Sequence, residues 1–230
     1  MISFLITSAL LAFQNPRYEK RADHDPDGIG IFYMGREIAH VMGHQAADWL
    51  DRPERMTEEA PQLLIEALKL KPGMVVADIG AGSGYLSFPM AKRVAPQGRV
   101  LAVDIQPEML EIIRSKSKRA GVKNVVTVLG TPDDPKIADE TVDLMLLVDV
   151  YHEFDHPFEM VTRMVSALKP GGRLVFVEYR QEDLSVPIKE VHKMSVEQVK
   201  REMTPFSLTW KQTLNILPRQ HIIEFIKRKA

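Results

Sequence analysis

The chain contains no cysteine. That excludes disulfides, thiolate metal sites and a cysteine nucleophile, and it leaves the redox compartment unreadable from composition. A charge imbalance is missing too: 30 lysines and arginines stand against 31 acids, a net charge of −1. No whole-chain field draws such a protein onto nucleic acid or anionic lipid, and no nucleic-acid partner is expected. There is no apolar run of the roughly 20 residues that a membrane-crossing helix requires, no internal repeat and no low-complexity tract. What is present is ordinary globular composition, 45% apolar and 27% charged in 230 residues. A chain of that length buries roughly 70–75% of its unfolded surface and folds without staples.

The first 13 residues carry no charged side chain. The run fits the apolar region of a signal peptide, with Ser8, Ala9 and Ala12 as small residues for cleavage, although no Lys or Arg precedes it. An apolar segment packed on the domain is the alternative, so exported and cytoplasmic locations both stand. Residues 15–60 are expected to form a linker and then an N-terminal helical lid, and residues 61–230 the main domain. Within the linker, Asp23-His24-Asp25-Pro26-Asp27-Gly28 imitates the start of a calcium loop. Position 12 of that loop is Met34 where a bidentate Glu is required, so the stretch reads as a solvated turn.

From residue 36 to residue 50, Ile38, Val41, Met42, Ala46 and Trp49 recur at helical spacing, and a second helix is expected over 58–70. Lys71-Pro72-Gly73 ends it. A regular alternation follows. Strands are expected at 74–79, 99–104, 124–129, 142–150 and 173–179, with helices at 84–94, 107–120, 157–168 and 188–202. Strands alternating with helices of a dozen residues imply right-handed βαβ units and a parallel sheet covered on both faces. The last two strands, 206–216 and 220–227, are joined by Leu217-Pro218-Arg219, too short for a crossover, and should pair antiparallel. The expected fold is α/β and Rossmann-like: a mostly parallel seven-stranded sheet ending in an antiparallel pair.

The sharpest motif is Val75-Val76-Ala77-Asp78-Ile79-Gly80-Ala81-Gly82-Ser83-Gly84-Tyr85. A buried strand delivers the chain to a glycine turn, and a helix starts directly after it. Glycine is required where the backbone must turn through angles closed to other residues and where a ligand approaches closely. Asp104, at the end of the next strand, lies 20 residues beyond Gly84, where a carboxylate can accept both hydroxyls of a ribose. A dinucleotide-binding fingerprint would need glycine at position 85, where this chain has Tyr85. A carboxylate beside the turn, Asp78, suits a cationic ligand better than a pyrophosphate.

With these residues the chain resembles the class I S-adenosylmethionine-dependent methyltransferases, in the branch of the ubiquinone and menaquinone methyltransferases. The other blocks carrying the resemblance are Val103-Asp104-Ile105, Leu146-Leu147-Val148-Asp149-Val150-Tyr151-His152, and Leu168-Lys169-Pro170-Gly171-Gly172-Arg173-Leu174. The resemblance implies S-adenosylmethionine as cofactor and in-line methyl transfer to a small molecule. It places Asp78, Gly80, Gly82 and Gly84 at the amino acid end of the cofactor, Asp104 at the ribose, and Ile105 beside the adenine. In the loop after the third strand of this domain, Thr131 takes the usual acidic position near the adenine amino group and Asp133 follows it. Asp149 closes the fourth strand, facing the reaction space.

Transfer from a sulfonium needs alignment and exclusion of water, and an acidic acceptor also benefits from a base. His152 is the candidate base, with Asp149 beside it; its alternative role is to close the cofactor pocket by packing. Glu37, His40 and His44, read on one helix face, are assigned to a lid over the cofactor, and no metal is expected. Arg36, Trp49, Tyr151 and His192 complete the candidate acceptor pocket. The fourth strand does not end in the Asn-Pro-Pro-Tyr type used on amide or exocyclic amino nitrogens. Without cysteine the chain cannot use the nucleophile of cytosine C5 methylation or the thiolates of arsenite methyltransferases. The basic residues Arg114, Lys116, Lys118, Arg119 and Lys123 lack interleaved aromatics and read as a solvated helix face. An NAD(P)-dependent enzyme of the same sheet and a non-catalytic binder of S-adenosylmethionine or its demethylated product stay open.

Overall fold

A computed structural model describes residues 17–229; the apolar residues 1–14 and the signal-peptide question lie outside this range. The chain begins with three strands, β1 (Tyr18–Lys20), β2 (Gly28–Tyr33) and β3 (Arg36–Ala39). They form an antiparallel sheet in the order β1-β2-β3. Short helices α1 (Ala47–Leu50), α2 (Arg55–Glu58) and α3 (Pro61–Ala67) lead into the main domain. There β4 (Val75–Ile79), α4 (Ser87–Val94), β5 (Arg99–Asp104), α5 (Pro107–Ala120), β6 (Val125–Leu129) and β7 (Val142–Val148) alternate. The remaining elements are α6 (Pro157–Ala167), β8 (Leu168–Tyr179), α7 (Val196–Met203), β9 (Leu208–Leu214) and β10 (Gln220–Lys227).

The second sheet has seven strands in the order β6-β5-β4-β7-β8-β10-β9. β4 pairs parallel with both β5 and β7, β7 pairs parallel with β8, and β10 runs antiparallel to both β8 and β9. β7 shows why the strands are almost continuously apolar. Its Met145 and Leu147 enter one core cluster with Phe176 and the α6 residues Met160 and Met164. Its Leu144 and Leu146 enter another on the opposite face, with Leu64 of α3 and Met90 of α4. Alternate side chains of one strand feed two covered faces, so neither set can be polar. Truncating any of these fully buried leucines would cost about 2–5 kcal/mol. The chain leaves β4 in one direction toward β5 and β6, then returns to its other side with β7. That reversal makes the carboxyl ends of β4 and β7 a topological switch point, where open α/β sheets bind ligands.

The expected architecture is present, and most strands and helices of the main domain lie near where the pattern placed them, although α4 opens at Ser87 and β8 already at Leu168. The N-terminal region differs. The expected linker carries β1 and β2, and the expected helix over 36–50 opens with a strand. β2 turns into β3 through Met34 and Gly35, both at positive φ (50° and 92°). Two such residues make the tight hairpin turn that matches strand twist. The helical periodicity of Ile38, Val41 and Met42 was therefore coincidental: Ile38 and Ala39 are buried by the hairpin. Glu37 is not on a helix face with His40 and His44. Its carboxylate accepts the backbone amides of Asp25 and Gly30, each at 3.0 Å, inside the small sheet. Likewise the helix expected over 188–202 starts only at Val196, after Ser195 accepts the Gln198 amide at 3.1 Å as an N-cap. Among the described residues no helix is long and apolar enough to cross a membrane.

Candidate active site

A cavity of about 480 Å³ opens at the switch point, within the size range of small-molecule sites. Loops from the ends of β4, β5, β6, β7 and β8 all contribute to its wall, through Gly80, Asp104, Gly130, Asp149 and Ile188 among others. Val41, Met42, Trp49 and Leu50 come from the segment between β3 and α2 and also line it. This segment is a turn and one short helix rather than the long helix expected. Gln106 holds it to β5: its side-chain amide donates to the Met42 carbonyl at 2.9 Å, and its oxygen accepts the His44 amide at 2.8 Å.

Gly80 and Gly82 take φ of 70° and 53°. A Cβ on Gly80 would lie 2.4 Å from a methyl of Val150, and one on Gly82 would lie 2.5 Å from a methyl of Leu50. The turn is thus pressed between the β7 loop and the segment that carries Leu50, which leaves its backbone on the cavity wall. Gly84, not on that wall, packs toward Ile113 and Phe88.

Asp104 sits at the cavity with one carboxylate oxygen accepting the Gly82 amide and the other the Gln106 amide, both at 2.9 Å. Burial raises its pKa, against the pull of those amides. Asp149 is held at φ 50°, a conformation uncommon for a side chain other than glycine. One of its oxygens accepts Gln220 Nε2 at 2.6 Å. The other, Oδ1, is buried without a partner among the described residues. Burial, then the nearby Glu59 and Glu178 carboxylates, push the Asp149 pKa well above the usual range. An unpartnered buried acceptor on a cavity wall is costly unless a donor or a cation fills the cavity.

Asp78 lies behind the glycine loop and off the cavity wall, accepting the Ser87 hydroxyl at 2.5 Å. Burial lifts its pKa from 3.8 to about 6, with the Ser87 hydrogen bond opposing the rise. The folded chain therefore keeps this proton to higher pH than the unfolded chain does, and the ligand-free fold should lose stability as pH rises from about 4 to about 6. At about 1.4 kcal/mol per pH unit, that loss is about 3 kcal/mol. Urea unfolding at pH 4 and pH 7 is expected to include this drop beside those of the other raised acids, and Asp78→Asn is expected to lessen the total loss.

His152 is buried in the loop after β7. Its Nδ1 lies 2.6 Å from Glu178 of β8, and its Nε2 lies 3.2 Å from His192 Nδ1. Glu178 also accepts the Tyr151 amide at 3.0 Å. Glu153 joins the same wall, and burial pushes its pKa up to about 7. Burial, with His152 close by, lowers that of His192 to about 4.

Of the residues expected at the site, the structure brings together Gly80, Gly82, Asp104, Ile105, Asp149, His152, His192 and Trp49 on one wall. It places others elsewhere. Arg36 and Tyr151, expected at the acceptor pocket, are off the wall in a buried cluster: the Arg36 guanidinium forks onto Glu202 at 2.8 and 3.1 Å, and the Tyr151 hydroxyl donates to Glu202 at 2.6 Å. His40 is exposed, and the His44 ring lies 3.9 Å from Glu108, both off the wall. The Thr131 hydroxyl donates to Asp133 at 2.8 Å; their neighbours Gly130 and Pro132 form the wall instead. Glu178, Glu153, Gln106 and Arg55, the last also on the cavity wall, were not singled out from sequence. Glu178 had a signal: an acid inside the apolar run Leu174-Val175-Phe176-Val177 demands a buried partner.

A family model described as a methyltransferase domain matches residues 70–220. The chain is 31% identical over 155 residues to protein-L-isoaspartate O-methyltransferase of Methanothrix thermoacetophila, covering 64% of this chain and 70% of that protein. It is 32% identical over 115 residues to arsenite methyltransferase of Halobacterium salinarum, 49% of this chain and 29% of that protein. It is 31% identical over 123 residues to the ubiquinone/menaquinone biosynthesis C-methyltransferase of Pseudomonas paraeruginosa, 53% of this chain and 48% of that protein. The chain thus spans less than half the length of these last two relatives. Among solved structures, a SAM-dependent methyltransferase from Aquifex aeolicus superposes with a TM-score of 0.76 at 22% identity, covering 81% of this chain and 100% of that one, a likeness of fold. The sheet order, the glycine turn at its switch point and a family match over 70–220 agree, and the chain belongs to the class I S-adenosylmethionine-dependent methyltransferases.

Proposed function

We propose that the chain methylates a small molecule bearing an ionisable hydroxyl or similarly acidic group, with S-adenosylmethionine as donor. The observation that carries this reading is the convergence of Asp104 and the unpartnered Asp149 Oδ1 on the cavity beside the glycine turn. The buried carboxylates fit a ligand that brings hydroxyl donors and positive charge, and they would repel a phosphate. When bound, the cofactor supplies a methyl group already activated on a sulfonium.

The chain's own residues would then have distinct tasks. Gly80 and Gly82 present backbone to the amino acid end, with Asp78 behind the turn. Asp104 receives the ribose hydroxyls. Ile105, the 130–133 loop and its Thr131 and Asp133 belong to the adenine side. Asp149 Oδ1 accepts a donor or offsets positive charge near the transferring methyl. Val41, Met42, Trp49 and Leu50 cover the cavity and exclude water, which strengthens each of these interactions. The acceptor belongs beside His152, Glu153 and His192, the polar part of the wall. With His152 Nδ1 held by Glu178, its Nε2 lone pair and the adjacent His192 ring form the part of the wall that the acceptor's hydroxyl would meet.

The test is a single-turnover assay following the demethylated product with phenols, quinols and small hydroxy acids as acceptors. Product is expected with at least one of these classes, and His192→Ala is expected to slow it at least about 100-fold, the low end for a group engaging the transferred proton. Transfer only to amines or thiols would contradict the acceptor assignment.

A further inference from the structure

We infer that His152, Glu153 and His192 form a binding site for a borderline divalent transition-metal ion, of which zinc is the simplest probe. One ligand atom from each side chain lies within 4.8 Å of the others. Two nitrogens, each about 2.1 Å from one ion, stand about 3.0 Å apart at a right angle and about 3.4 Å apart at the tetrahedral angle. The separation of His152 Nε2 and His192 Nδ1, 3.2 Å, lies between these values.

The surroundings are those of a metal ligand. Glu178, fully buried, takes the far nitrogen of His152 at 2.6 Å. A carboxylate on the distal N–H fixes the tautomer and leaves Nε2 bare, as in most histidines bound to metals. The loop is itself pinned, since Tyr151 donates its amide to Glu178 and Arg36 donates to the His152 carbonyl at 3.0 Å. Lys189, a cation on the same wall, is paired with Asp27 at 2.6 Å. Two imidazoles and one carboxylate suit zinc and its neighbours rather than magnesium or calcium. All three side chains line the cavity, so coordination positions on that side are open to a ligand. Three protein ligands with an open position describe a catalytic rather than a structural site. The inference deepens the proposed acceptor site: an ion there would bind the acceptor's oxygen and lower its pKa so that its proton leaves to bulk water, the His152 and His192 lone pairs serving as ligands and not as the base.

The experiment is calorimetric titration of the full chain with zinc chloride, with cobalt(II) absorption as a second readout, on the native protein, His192→Ala and Glu178→Gln. S-adenosylhomocysteine is titrated into the same samples. Native protein is expected to take one ion with micromolar affinity or tighter. His192→Ala, on a half-buried turn, is expected to weaken binding at least 100-fold, and loss of the outer carboxylate in Glu178→Gln about 10–100-fold. Zinc binding that is absent in the native chain, or unchanged in His192→Ala, would overturn the site. If zinc binds and S-adenosylhomocysteine does not, the metal site stands and the cofactor reading fails. The reverse result retains the cofactor and removes the metal.

Discussion

Arg36→Met is expected to destabilise the fold by about 3–5 kcal/mol, the cost of leaving a buried acid without its partner. Glu202 has no exposed surface. Besides the forked Arg36 guanidinium it accepts the Tyr151 hydroxyl and Gln198 Nε2, the latter at 2.7 Å. Neutral donors of that kind do not compensate a full charge in a low-dielectric setting. Replacing both partners, in Arg36→Met with Glu202→Met, is expected to recover most of the loss, because a hydrophobic pair of similar volume avoids the desolvation cost. Denaturant unfolding of the two single variants and the double variant measures the coupling directly. A single-variant loss below about 1 kcal/mol would place this pair with exposed salt bridges. Stability recovered in the double variant need not restore function, since Arg36 also holds the His152 carbonyl.

The second large effect is at the glycine turn. Gly80→Ala is expected to cost about 2–4 kcal/mol and to weaken S-adenosylmethionine binding at least 100-fold. A side chain at φ 70° costs about 1–2 kcal/mol by itself. The added methyl also meets Val150 at 2.4 Å, a separation that only movement can relieve. Val150 follows Asp149, so that movement disturbs two parts of the cavity wall together. Adding Val150→Ala is expected to return about half the stability, through the clash alone, while the backbone cost persists. Full recovery would show that the conformation at Gly80 is not strained for alanine. No loss in either measurement would contradict the close contact itself.

The main domain was legible because its signals are local and redundant. β5, α5 and β10 each combine a period of apolar residues with a clear stop: Asp104 and Pro107 around one junction, Gly121 at φ 66° after α5, and Pro218 before β10. The N-terminal sheet was not legible. Its strands are short, its hairpin turn uses Met34 where Asn or Asp would have announced it, and Ile38, Val41 and Met42 mimic a helix by spacing alone. The start of α7 could have been read from Ser195 followed three residues on by Gln198, the capping-box pattern. At the site, the glycine turn and Asp104 were visible because one strand and one turn define them. The His152–Glu178–His192 arrangement was not, because it joins three loops and strands across the sheet, and no spacing in a single segment encodes it. Arg36 and Tyr151 were misplaced for the same reason: their partner, Glu202, lies on a helix far away in sequence.

The most direct measurement is calorimetric titration of the full chain with S-adenosylmethionine, S-adenosylhomocysteine and NAD, beside Asp104→Ala. Micromolar binding of the two sulfur compounds, no binding of NAD, and a loss of about 100-fold in the variant are expected, the size of two hydrogen bonds to a charged acceptor. No binding of either sulfur compound, preferential binding of NAD, or unchanged affinity in Asp104→Ala would contradict the assignment of this cavity.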